Sequence, residues 1–178
     1  MNESVIIAEI VGRTPEGRSM YHSSILKPVP NDPGIYALYD GINGNKCVYV
    51  GKSGQLKTRV RDHLILQIST VASGTAGASL NIENLTKLRW WTHPNFTDDS
   101  YLDAFETLAF TYLDPQLRSR GGRLKSGSSY LNNPDFKEMV NDILKKPSGE
   151  VELLSYGKLY KKIEEIELRL SRLENSEE

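Results

Sequence analysis

The chain has 178 residues, 38% of them hydrophobic and 25% charged, with a formal net charge of -1 and a single cysteine. No apolar run approaches twenty residues, one cysteine makes neither a disulfide framework nor a zinc finger, and a balanced charge argues against coating nucleic acid by bulk electrostatics. The expectation is a soluble, cytoplasmic chain with no membrane span, long enough for one core and a small appendage.

Residues 1–33 open with a short apolar stretch at 5–11, read as an extra strand or a helix turn, and close on Pro28, Pro30 and Pro33; they form an extension packed on the core. Residues 33–39 then interleave small or apolar residues with Tyr36 and Tyr39, and 47–50 repeat that flavour after a Gly/Asn-rich stretch. Two β-rich segments around such a turn predict a hairpin, and a suitable register puts the phenols of Tyr36 and Tyr49 on one side of the sheet. Cys47 reads as a small buried strand residue. After the polar turn Gly51-Lys52-Ser53-Gly54-Gln55, residues 56–64 predict an amphipathic helix. Leu56, Val60 and Leu64 form its buried stripe, and Arg59 and His63, four apart, share an adjacent one.

Residues 69–80 are a Ser/Thr/Ala/Gly stretch longer than a compact core needs. Residues 87–94 predict a third strand stopped by Pro94, with at least one of Trp90 and Trp91 in the core because successive strand residues face opposite ways. Asp98, Asp99 or Ser100 caps the next helix, on which Leu102, Phe105, Leu108, Ala109, Tyr112 and Leu113 make an apolar stripe beside the carboxylate Glu106. A basic loop with Arg118, Arg120, Arg123 and Lys125 follows; residues 46–125 hold 11 Lys/Arg against 7 Asp/Glu, while the flanks hold 11 against 16. That loop can meet phosphate or can simply be solvated. Another helix starts near Asn133 or Asp135 and breaks at Pro147-Ser148-Gly149.

The last segment places Tyr156, Leu159, Ile163, Ile166, Leu170 and Leu173 at alternating spacings of three and four, a coiled-coil seam of about two and a half heptads. Lys162 with Glu167, and Arg169 with Glu174, take g and following e positions. The alternatives are a homodimer through this helix, or a helix packed back on its own domain, which Leu168 outside the seam favours.

Gly34-Ile35-Tyr36, Tyr49-Val50-Gly51, Arg59, His63 and Glu106, in that order over residues 34–120, resemble the GIY-YIG nuclease family. The resemblance implies an α+β fold, a small, mostly antiparallel three-stranded sheet flanked by helices. It divides the chain into the extension at 1–33, a nuclease core at 34–125, a helical extension at 126–152 and the amphipathic helix at 153–178. It also implies catalytic roles for Tyr36, Tyr49, Arg59, His63 and Glu106. Glu106 would hold one Mg2+ or Mn2+ per site, an oxygen ligand for a hard cation. Arg59 would donate to phosphate oxygens, Tyr36 would act as base, Tyr49 would orient water or phosphate, and His63 would assist proton transfer. DNA contacts would come from Lys52, Arg61, Arg118, Arg120, Arg123, Lys125 and Asn132.

One departure stands out: where many members carry an asparagine after the metal-binding helix, this chain has Arg118, so either Arg118 takes over its role or Asn132 or Asn133 folds back. The function implied is a metal-dependent DNA endonuclease, restriction-like, from a phage or mobile element, or repair-associated. The rivals are a non-catalytic nucleic-acid-binding or assembly module on the same fold and an RNA-processing enzyme using the same site.

Overall fold

A computed structural model describes residues 23–41, 46–66, 84–117, 128–153 and 156–174. The expectations for residues 5–11, the turn at 42–45, the loop at 69–80, and Arg118, Arg120, Arg123 and Lys125 lie outside those residues. The architecture is α+β: strands β1 (Gly34–Asp40), β2 (Lys46–Ser53), β3 (Leu85–Thr92) and β4 (Gly149–Glu152) form one antiparallel sheet in the order β2-β1-β3-β4. Helices α1 (Leu56–Leu64), α2 (Asp99–Leu113), α3 (Ser128–Leu131), α4 (Pro134–Lys145) and α5 (Tyr156–Glu174) complete it.

The sheet has four strands rather than the expected three. The fourth is only four residues long, pairing Gly149 with Trp90 and Glu152 with Lys87. Pro147 and Ser148 do end the preceding helix, as expected, but the chain then turns back onto β3: Ser148 donates its N–H to the Trp90 carbonyl, and its hydroxyl accepts from Thr92 N–H at 2.9 Å. Gly149 sits against the Trp90 ring, where a Cβ would collide. A strand this short carries too little alternation to be read from sequence.

β1 is central and buried along its whole length, which its run of Ile, Tyr, Ala and Leu allows on both faces. Alternate residues feed two cores. On one face Tyr36, Leu38, Tyr49, Leu88 and Trp90 pack with Leu56, Val60 and Leu64 of α1. On the other, Ile35, Ala37, Val50 and Trp91 pack with Leu102, Phe105, Leu108 and Ala109 of α2 and Phe136, Val140 and Leu144 of α4. Both tryptophans are therefore core, on opposite faces. The α1 boundaries and its buried stripe match the sequence expectation, and Cys47 is buried and free, its thiol pushed up to about 12 by burial. Gly34 allows α1 to approach, since a Cβ there would lie 2.5 Å from Leu56 and 2.6 Å from the Trp91 carbonyl oxygen.

Asp98 caps α2 by accepting from Ser100 N–H at 2.8 Å, and Asn133 caps α4 by accepting from Asp135 N–H at 2.9 Å. Tyr112 leaves the expected stripe: it is exposed, with its hydroxyl donating to the Lys137 carbonyl. α2 ends at Asp114, whose φ of 42° turns the chain back so that Gln116 and Leu117 donate N–H groups to the Cys47 and Val48 carbonyls along the outer edge of β2.

Candidate active site

Register brings the tyrosines together. In β1–β2 pairing Tyr36 faces Gly51 and Leu38 faces Tyr49, so the two phenols are diagonal neighbours on one face, with ring centroids 5.9 Å apart. Gly51 makes the space: a Cβ there would lie 2.6 Å from the Tyr36 hydroxyl and 2.9 Å from the Tyr49 ring. α1 then lays His63 over them, with centroids 5.6 Å from Tyr36 and 5.4 Å from Tyr49. Tyr36 and His63 are fully buried, and the Tyr36 hydroxyl is 2.5 Å from His63 Nε2.

Burial decides the charge state of this group. It pushes the Tyr36 pKa well above the usual 10, the Tyr49 phenol adds to that, and the opposing pull of Arg59 is smaller. Tyr49 is raised by burial as well, against its hydrogen bond with Tyr36 and the charge of Arg59. Burial, then repulsion from Arg59, lowers His63 to about 4. At neutral pH the phenol therefore stays protonated and the imidazole stays neutral, with one proton shared along the contact between the Tyr36 oxygen and His63 Nε2.

Arg59, one turn before His63, is half-buried and close enough to pull the pKa values of both tyrosines down. Glu106 arrives from α2, packed against the opposite face. Its carboxyl is raised by burial, while the Lys52 ammonium, the Lys52 backbone N–H and Arg59 pull the other way. Arg59 from α1 and Glu106 from α2 thus lie near enough to act on one another, and both act on Tyr49. Lys52, expected at DNA, forms an ion pair with Asp103, one turn before Glu106 on α2. Sequence reasoning missed Asp103; its i, i+3 relation to Glu106 was the available signal.

Among the described residues, the remaining candidates sit apart. Arg61 is exposed on α1 with its Nε 3.8 Å from Asp62 Oδ1. Asn132 is exposed and follows Tyr130 and Leu131, which pack on the core facing α2, so the structure does not bring it to the tyrosine–histidine group. Asn133 is occupied as the α4 cap.

Among the described residues no three His, Cys, Asp or Glu side chains cluster as a metal cage. Glu106 is a single oxygen donor, and the positive charges of Lys52 and Arg59 beside it would have to be offset by the substrate phosphate for a cation to bind there. That set fits a hard divalent cation that keeps most of its coordination for water and a phosphate oxygen, and does not fit a caged structural metal. Chemically, the arrangement can hold such a cation, bind an anion at Arg59, and move a proton between Tyr36 and His63.

Comparison with known proteins finds a 41-residue stretch that is 49% identical to UvrABC system protein C of Prochlorococcus marinus strain NATL1A, and equally to that of strain NATL2A. The stretch covers 23% of this chain and 6% of the length of each relative. No family model matches the chain, and no solved structure matches it.

Proposed function

We propose that this chain is a divalent-metal-dependent DNA endonuclease that hydrolyses phosphodiester bonds, with Mg2+ or Mn2+ held at Glu106. The observation that carries the reading is the convergence of a buried Tyr36–His63 hydrogen bond, Tyr49 and Arg59 with a lone carboxylate from a separate helix. The short likeness to UvrABC system protein C, together with the ordered Gly-Ile-Tyr and Tyr-Val-Gly motifs, points in the same direction.

The cation, when bound, supplies positive charge to the scissile phosphate. Arg59 donates to a nonbridging oxygen and meets the negative charge that grows there. Pairing with phosphate also offsets the Arg59 charge that helps to lower His63. Substrate binding would have to admit a water beside the buried Tyr36; that water attacks phosphorus, its oxygen forms the new P–O bond, its proton passes to the Tyr36 oxygen, and Tyr36 gives its own proton to His63 Nε2. The opposite P–O bond breaks, and the departing alkoxide takes a proton from solvent. A concerted handover avoids a free phenolate, which burial makes unfavourable. Tyr49 holds the water or phosphate in line. Lys52, kept beside Glu106 by Asp103, adds charge for the DNA backbone.

The test is incubation of the purified protein with supercoiled plasmid and magnesium or manganese, beside Tyr36→Phe and Glu106→Ala. Linear or nicked products that vanish in both variants are expected. Plasmid bound but uncut by the wild type points instead to a binding module on this fold.

A further inference from the structure

We propose that α5 joins two copies of this chain in a parallel, in-register coiled coil. Ile163, Ile166, Leu170 and Leu173 are 47%, 55%, 54% and 63% exposed. The residues between them are exposed too, so this stripe does not fold back onto the described core. Four apolar side chains in a row along a 19-residue helix, about 28 Å long, call for a cover.

Charge identifies the cover. With Ile163 and Leu170 at a, and Ile166 and Leu173 at d, Lys162 and Arg169 take g positions and Glu167 and Glu174 take e positions. Lys162 and Glu167 are five residues apart, as are Arg169 and Glu174, a spacing that puts each pair on opposite flanks of one helix rather than side by side. In a parallel pair, g of one copy faces the following e of the other, so Lys162 meets Glu167 and Arg169 meets Glu174, each twice by symmetry. An antiparallel pair would set Lys and Arg against Lys and Arg, and Glu against Glu. A second copy therefore satisfies the stripe and both flanks, and like-charge repulsion selects its direction. Leu168 falls at f, outside the seam, and takes no part.

This inference does not depend on the chemistry proposed above. Sedimentation equilibrium of the full chain across protein concentrations tests it. The mass is expected to move from 20.0 kDa towards twice that value. Ile166→Asp should stay monomeric, Leu168→Asp should behave as wild type, and Lys162→Glu should weaken association several-fold, with Glu167→Lys added to it restoring the dimer. Leu173→Cys, oxidised, should cross-link two copies in the parallel arrangement. Each substituted site is exposed, so the fold is not at stake. A wild type that is monomeric at every concentration, a species larger than a dimer, dissociation by Leu168→Asp, or a charge swap without rescue overturns the proposal; a monomeric wild type would leave the stripe to a foreign helix.

Discussion

The Tyr36 hydroxyl and His63 Nε2, 2.5 Å apart, tie the central strand of the sheet to α1 through a polar contact inside an otherwise apolar layer. Both side chains are buried in this arrangement, so removing either one takes a hydrogen-bond partner from the other in a place where replacing it is costly.

Tyr36→Phe keeps the ring and its packing while deleting the hydroxyl. The expected outcome is a loss of cleavage of about 10²- to 10⁴-fold, with stability reduced by only about 1–3 kcal/mol for the unsatisfied imidazole. Plasmid cleavage rates and urea midpoints separate the two effects; an active variant would exclude Tyr36 from the proton path.

Gly51→Ala forces a methyl group toward the Tyr36 hydroxyl and the Tyr49 ring. Overpacking of this kind costs about 1–3 kcal/mol, and both rings must shift. The variant should fold, melt lower than wild type, and lose most of its activity. Near-normal cleavage would show that the relative placement of the phenols does not matter.

The pH dependence of stability should report His63. Its folded pKa, about 4, lies below the unfolded value of 6.5, so the unfolded chain binds a proton that the folded chain refuses. Stability is complete above about pH 6.5 and falls as pH drops towards 4, by roughly 3 kcal/mol, since each pH step between the two values removes about 1.4 kcal/mol. Urea unfolding at intervals from pH 4 to 7 measures the slope, and His63→Gln should flatten it.

Glu106 runs the other way. Burial raises its carboxyl, so the folded state prefers the protonated form and ionisation opposes folding as pH rises above the unfolded value of 4.5. Glu106→Gln should therefore be at least as stable as wild type at pH 7 while losing magnesium or manganese binding by calorimetry. A variant that is clearly destabilised at pH 7 would show that the ionised carboxylate supports the fold.

The site's β1, β2 and α1 contributions were legible because they rest on local spacing: a two-residue alternation puts Tyr36 and Tyr49 on one face, and a four-residue step puts Arg59 and His63 on one side of α1. The Glu106 helix was legible for the same reason. What spacing could not reveal is contact between elements distant in sequence. The Lys52–Asp103 pair spans two elements packed only in the fold, and the charge state of Tyr36 follows from complete burial beneath α1, which no local pattern records. β4 escaped notice because four residues owe their extended form to the neighbouring β3 rather than to their own composition. Asn133 shows the converse hazard: a residue weighed for the site is used locally to start α4.

The turn at Asp114 has a consequence for how the molecule can grow. By sending Gln116 and Leu117 back along β2, it occupies the Cys47 and Val48 carbonyls that a foreign strand would otherwise take. At the far side, β4 is short and carries Glu150 and Glu152, which discourage edge-to-edge addition. With both margins guarded, strand-by-strand polymerisation into fibrils is disfavoured, and self-association is channelled to surfaces away from the sheet.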